Sequence, residues 1–203
     1  NRYPDPLQRR LKRLLANVKG VSADPNLLGN GSDEVLDLVF RTFCEPGQDE
    51  VILLPPTYGM YGVLAQLNNI KTINVPLDDN FQLDIAAIMS SINENTKVIF
   101  VCSPNNPSGN AIPFEQIEIL LNRFKGLVVV DEAYIDFSEQ RSALSLLETY
   151  PKLMICQTLS KAYGLAGIRL GIGFANPEII DFFNKIKPPY NVNVLTQKMA
   201  LAS

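Results

Sequence analysis

Leu127-Val128-Val129-Val130-Asp131-Glu132-Ala133-Tyr134 sets four apolar residues, three of them β-branched, directly before an acidic pair. A strand with one wet face alternates apolar and polar side chains. This run does not, so both of its faces are expected to be covered. Val98-Ile99-Phe100-Val101-Cys102 has the same character. Shorter apolar runs predict further strands at Val51–Leu54, Ile70–Val75, Leu153–Gln157 and Leu170–Phe174. Between them the apolar spacing turns helical. It predicts an opening helix from Leu7 to Val18, closed by Gly20, and a second over Asp33–Cys44. Others are expected near Tyr61–Leu67, Leu83–Ile92, Phe114–Phe124, Leu144–Glu148, Pro177–Lys187 and Val194–Ala202. Doubly covered strands joined by helical crossovers imply an α/β fold, a three-layer α/β/α sandwich around a mostly parallel central sheet.

The 203 residues suffice for one domain with a substantial core, and 46% hydrophobic with 19% charged residues is ordinary for a globular chain. A net charge of -3 with no basic block argues against nucleic acid as a partner. No apolar run reaches the ~20 residues of a membrane span, and Asn1-Arg2-Tyr3-Pro4 does not read as a signal peptide. Cys44, Cys102 and Cys156 are odd in number, sit in apolar stretches and lack C-x-x-C spacing. They read as buried reduced thiols of a cytosolic protein, not as a disulfide or metal site. The first residue is not methionine, and Met199-Ala200-Leu201-Ala202-Ser203 breaks off inside a helix-like pattern. A piece of a longer protein is expected.

Ligands of open α/β sheets bind beyond the carboxyl ends of the strands. Ser103-Pro104-Asn105-Asn106-Pro107 follows one predicted strand, Asp131-Glu132-Ala133-Tyr134 the next, and Ser160-Lys161 a third. The three ends should converge on one cleft. The chain contains no histidine, so proton transfer near neutral pH falls to another group. Lys161, in Thr158-Leu159-Ser160-Lys161, is the candidate, as an amine that joins an aldehyde cofactor in a Schiff base. The hydroxyls of Thr158 and Ser160 with Arg169 would hold a phosphate. Asp131 would hold a protonated ring nitrogen, the cation that a carboxylate at a strand end needs. Lysine, phosphate clamp and buried carboxylate together describe a site for pyridoxal 5'-phosphate.

Each piece alone has a blander reading. A strand-end acid is commonly a surface residue, and Asn105-Asn106-Pro107-Ser108-Gly109 is turn chemistry. Gly29-Asn30-Gly31-Ser32-Asp33-Glu34 either seats a phosphate at a helix start or is a helix N-capped by Ser32. In the functional reading Asn106 and Tyr134 face the phenolate oxygen of the ring, and Tyr58 stacks on it. Tyr61 reads as a tyrosine packed at a helix start. Gly164, Gly167, Gly171 and Gly173 do not make the G-x-G-x-x-G fingerprint, so a dinucleotide site is not expected.

Taken together, these segments resemble the fold-type I pyridoxal-phosphate aminotransferases. The run Pro55-Pro56-Thr57-Tyr58-Gly59-Met60-Tyr61 is similar to their histidinol-phosphate branch. The likeness extends from Asn1-Arg2-Tyr3-Pro4-Asp5 through Cys44-Glu45-Pro46-Gly47 and Cys102–Gly109 to Thr158–Tyr163. It implies that residues 1–203 form the large cofactor-binding domain, with an N-terminal arm and a small C-terminal domain outside this chain. Lys161 would be the Schiff-base lysine and proton shuttle. Asp131 would pair the ring nitrogen, Tyr134 and Asn106 the ring oxygen, and Tyr58 would stack. Ser32 and Asp33 main chain would hold the phosphate with Thr158, Ser160 and Arg169, no metal being required. A tyrosine matching Tyr3 reaches the phosphate of a neighbouring subunit, which implies a homodimer. The implied reaction exchanges an amino group between L-histidinol phosphate, a phosphorylated amino alcohol, and 2-oxoglutarate, a 2-oxo acid, in cytoplasmic histidine biosynthesis. A threonine-phosphate decarboxylase or an aromatic amino-acid aminotransferase of the same fold shares nearly every motif. A transcription regulator carrying such a module would add a basic helix-turn-helix, for which nothing here is basic enough.

Overall fold

The apolar runs pair with one another in a seven-stranded sheet, in a computed structural model that describes residues 3–22 and 26–203. The strands are β1 (Asn26–Asn30), β2 (Glu50–Leu53), β3 (Lys71–Asn74), β4 (Thr96–Cys102), β5 (Leu127–Asp131), β6 (Leu153–Thr158) and β7 (Leu170–Ala175). Their order across the sheet is β1-β7-β6-β5-β4-β2-β3. From β3 to β6 every pairing is parallel, whereas β7 runs antiparallel to both β6 and β1. The helices are α1 (Arg9–Lys19), α2 (Ser32–Phe43), α3 (Met60–Leu67), α4 (Ile85–Ser91), α5 (Phe114–Arg123), α6 (Pro177–Ile186) and α7 (Val194–Ala202).

Side chains alternate across a strand, so each unbroken apolar run feeds two cores. Ile99, Val101, Val128, Val130 and Ile155 join one core with Leu11 and Leu15 of α1, Ile88 of α4 and Ile117 of α5. Val98, Phe100, Val129 and Met154 join the other with Val35, Leu36 and Phe40 of α2, Leu64 of α3 and Phe183 of α6. This is the expected α/β/α sandwich. In the second core, Phe100 stacks on Phe40 at 5.0 Å and on Tyr61 at 5.1 Å. Burying a side chain of that size is worth about 1.5–3 kcal/mol, and here it also fixes where the Tyr61 ring lies.

Three local expectations are corrected. Leu144–Glu148 is not an α-helix but a short 3-10 turn over Ala143–Leu146. The strand β1 was not expected at all. Asn26-Leu27-Leu28-Gly29-Asn30 carries little β preference of its own, and it becomes a strand through five residue pairs with β7. Finally, Ser32 does not cap α2. The capping position falls to Gly31, at φ 85° and with no side-chain cap, and Ser32 is the first helical residue. Asn1 and Arg2 of the family-like opening run lie outside the described residues. Among the described residues no helix is long and apolar enough to cross a membrane.

Candidate active site

Asp131 is the last residue of β5, paired to Cys102 on one side and Cys156 on the other, and it is 3% exposed. Its Oδ2 accepts a 2.7 Å hydrogen bond from the Tyr61 hydroxyl, and its Oδ1 accepts from the Ala133 N–H at 3.1 Å. Among the described residues no ammonium or guanidinium makes an ion pair with it. Burial therefore dominates and pushes its pKa up from the ordinary 3.8 to about 6, with the Tyr61 hydrogen bond pulling the other way. Lys161 lies near enough for its positive charge to oppose the rise.

The next residue, just past the end of β5, has different partners. Glu132, 2% exposed, accepts from the Ser142 hydroxyl at 2.5 Å, the Ala143 N–H at 2.7 Å and Gln157 Nε2 at 2.8 Å. It pins the 3-10 turn to the sheet, and burial raises its pKa too. Of the acidic pair, only Asp131 faces the strand ends where Lys161 lies.

The raised Asp131 pKa has a consequence for stability. A carboxyl with a folded pKa near 6 and an unfolded pKa near 3.8 binds more protons when folded between those values. Its penalty is absent below pH 3.8, grows as pH rises through 6, and reaches about 3 kcal/mol at pH 7 and about half that at pH 5. Urea unfolding of the ligand-free protein is expected to show most of this loss between about pH 4 and 6, and Asp131→Asn to remove it. Equal pH slopes for the two proteins would refute the assignment.

The segment after β6 holds the other expected residues. Thr158, buried at the strand end, donates to Ser160 Oγ at 3.0 Å, and its Oγ1 accepts from the Ser160 N–H at 3.1 Å. Lys161 follows on an exposed turn closed by the Gly164 N–H on its carbonyl, and its Nζ stands 5.3 Å from the Tyr134 ring centroid. Arg169 ends a 3-10 turn in the left-handed region at φ 55°, a conformation that costs a non-glycine residue about 1–2 kcal/mol. Its backbone carbonyl accepts from the Gly31 N–H at 3.1 Å.

Arg169 and α2 thereby meet. A Cβ on Gly31 would lie 2.6 Å from Arg169 Nη2, so a side chain there would displace the guanidinium, and the φ of 85° itself favours glycine. Gly171 does the same from below, since a Cβ on it would lie 2.3 Å from the Ser32 backbone nitrogen. The uncapped start of α2 thus sits beside a permanent cation and close to β7. Free first-turn N–H groups, a helix dipole and a guanidinium suit a small dianion such as a phosphate.

The remaining expected residues divide. Tyr58 donates to Asp33 Oδ1 at 3.1 Å, which ties its ring to the first turn of α2. Burial and the Asp33 charge push its phenol up to about 12. Asn105 is structural, with its Nδ2 donating to the Pro56 carbonyl at 2.9 Å and to Ser108 Oγ at 2.7 Å. That leaves Asn106 lining a cavity of about 410 Å³ together with Tyr134. Tyr3 is 80% exposed and stacks on Tyr190 at 4.5 Å. Sequence reasoning missed two partners, Tyr61 for Asp131 and the Asp33 carboxylate for Tyr58. Neither pairing has a local signal, since the partners lie 70 and 25 positions apart.

The family described as aminotransferase class I and II matches residues 1–203. A histidinol-phosphate aminotransferase of Christiangramia forsetii is 59% identical over 201 residues, covering 99% of this chain and 57% of the relative. One of Parabacteroides distasonis is 58% identical over 201 residues, covering 99% of this chain and 58% of the relative. The crystal structure of histidinol-phosphate aminotransferase from Sinorhizobium meliloti in complex with pyridoxal-5'-phosphate superposes with a TM-score of 0.89 at 27% identity, covering 99% of this chain and 56% of that one. The chain spans a little over half the length of the curated relatives it matches.

Proposed function

The chain belongs to the class I and II aminotransferases, and from that premise we propose that it is the pyridoxal-phosphate-binding domain of an enzyme exchanging an amino group between L-histidinol phosphate and 2-oxoglutarate. In the whole enzyme a small C-terminal domain would add the substrate-binding arginines. The setting would be cytoplasmic histidine biosynthesis. Curated relatives of that name at 58–59% identity support the substrate pair over the decarboxylase and aromatic alternatives.

The observation that carries the reading is the buried carboxylate of Asp131, satisfied by two donors, without an ion pair among the described residues, and close to Lys161. A protonated ring nitrogen is the missing partner. When bound, pyridoxal phosphate supplies an aldehyde for the amino group and an electron-poor ring that stabilises charge at the substrate's α carbon. The chain's own residues do the rest. Lys161 Nζ takes and returns the proton at that carbon. Asp131 holds the ring nitrogen in its charged form. Asn106 and Tyr134 donate toward the ring oxygen, and Tyr58, held by Asp33, covers a ring face. Ser32 and Asp33 main chain, Thr158, Ser160 and Arg169 grip the phosphate. Tyr3, exposed and stacked on Tyr190, would serve the neighbouring subunit of a homodimer.

Borohydride reduction of the protein incubated with pyridoxal phosphate, followed by peptide mass analysis, tests the cofactor claim. Stable label on the Lys161 peptide is the expected result, and label spread over surface lysines would defeat it. Product analysis tests the reaction: 2-oxoglutarate should become glutamate, without release of carbon dioxide. The phosphate seat gives a separate expectation. Gly31→Ala adds a Cβ where Arg169 Nη2 lies and forces an L side chain to φ 85°. Pyridoxal phosphate should bind about 10-fold or more weakly, read by equilibrium dialysis, because a charge-assisted contact is worth about 1.5–3 kcal/mol. Unchanged affinity would place the phosphate elsewhere.

A further inference from the structure

The Tyr61 side chain is fully buried, and its hydroxyl has one carboxylate to donate to. Its ring is clamped, stacked on Phe100 at 5.1 Å and set edge-on to Tyr58 at 5.5 Å with an interplanar angle of 86°. The phenolic oxygen therefore cannot follow the carboxylate if that group rotates. With Oδ1 taken by the Ala133 N–H and Oδ2 by Tyr61, both oxygens of Asp131 are held in place, each with acceptor capacity left for a further donor.

Resting on the cofactor-site reading above, we propose that Tyr61 is a positioning residue of the reaction, acting through Asp131: its clamped hydroxyl orients the carboxylate toward the cofactor's ring nitrogen and holds it in its ionised form. The alternative, that Tyr61 only fills the core, requires no hydroxyl at all. Phenylalanine would pack there as well, and a buried hydroxyl is worth its desolvation only when it donates to something.

The groups around Asp131 show why this donor matters. Asp33 of α2 opposes ionisation by its negative charge, and Lys161 favours it. Cys102 of β4 is a neutral thiol pushed up to about 12, and Cys156 of β6, the Tyr61 phenol itself and Tyr58 are likewise raised by burial. Among the described residues on these elements, Tyr61 is the one whose side chain donates a hydrogen bond to Asp131.

The test is the Asp131 carboxyl titration in the cofactor-free full-length enzyme, followed by carbon NMR. Tyr61→Phe is expected to raise its midpoint by about one unit or more, the worth of one hydrogen bond to a charged group. A fluorinated tyrosine at 61, with a more acidic and stronger donor, should move the midpoint the opposite way while keeping the packing. With the cofactor bound, Tyr61→Phe should lower kcat about 10–100-fold with little change in KM, and should shift the pH midpoint of the cofactor's visible absorbance. An unmoved Asp131 midpoint in both variants, or wild-type kcat in Tyr61→Phe, overturns the proposal. If Tyr61→Phe fails to fold, the fluorinated protein alone decides, since a space-filling role leaves its titration unchanged. Failure of the wild type to take up pyridoxal phosphate would overturn the functional reading instead, and is read in the same samples.

Discussion

Lys161→Ala is expected to lower kcat by about four orders of magnitude in the full-length enzyme, and to abolish borohydride-stable labelling by pyridoxal phosphate. The chain has no histidine, and the other side chains near Asp131 are poor substitutes for a base. Tyr61, Tyr58, Cys102 and Cys156 are all held neutral by burial. Asp131 is committed to Tyr61 and Ala133. General acid–base catalysis contributes about 10²–10⁴-fold, and the same amine is the proposed point of attachment, so the upper end applies. The fold should survive, because Lys161 is exposed and its turn is closed by backbone hydrogen bonds. A steady-state assay with L-histidinol phosphate and 2-oxoglutarate, beside a thermal melt, checks both halves. Turnover within tenfold of wild type would remove Lys161 from the chemistry.

Asp131→Asn should be the second-largest loss, about 10²–10⁴-fold in kcat. An amide has one acceptor oxygen where the carboxylate has two, so it cannot satisfy the Tyr61 hydroxyl and the Ala133 N–H together. Its NH₂ group would also face the ring nitrogen, donor against donor. Breaking one side of a buried charge pair costs about 3–5 kcal/mol, which is two to four powers of ten in rate. The ligand-free variant should still melt cooperatively and lose the pH-dependent penalty of the buried carboxylate. Wild-type kinetics in this variant would mean that Asp131 faces something other than the ring.

Much of the architecture was legible because strand burial writes itself into composition. Val98–Cys102 and Leu127–Val130 lack polar alternation, which demands cover on both faces, and the two cores divide these residues by odd and even position. Amphipathic spacing announced α1, α2, α5 and α6 within a residue or two. The strand ends carrying Asp131 and Thr158 followed from the same runs, and the parallel β5–β6 register places both at the carboxyl ends of neighbouring strands.

Other features have no local signature. The β1 strand exists because β7 offers it a partner edge, and Gly31 takes the cap position of α2 at a φ of 85°, against the Arg169 guanidinium. Glu132 sits beside Asp131 in sequence yet serves a different layer, and its Ser142 and Gln157 partners arrive from distant segments.

The sequence alone thus determined the layered α/β plan and the set of chemically able residues, since hydrophobic period and residue type are local properties. Only the tertiary structure decided which of those residues meet. It gave Asp131 to Tyr61, 70 positions away, and Tyr58 to Asp33, 25 away. Such pairings depend on how the sheet and helices stack, and no spacing along the chain encodes them.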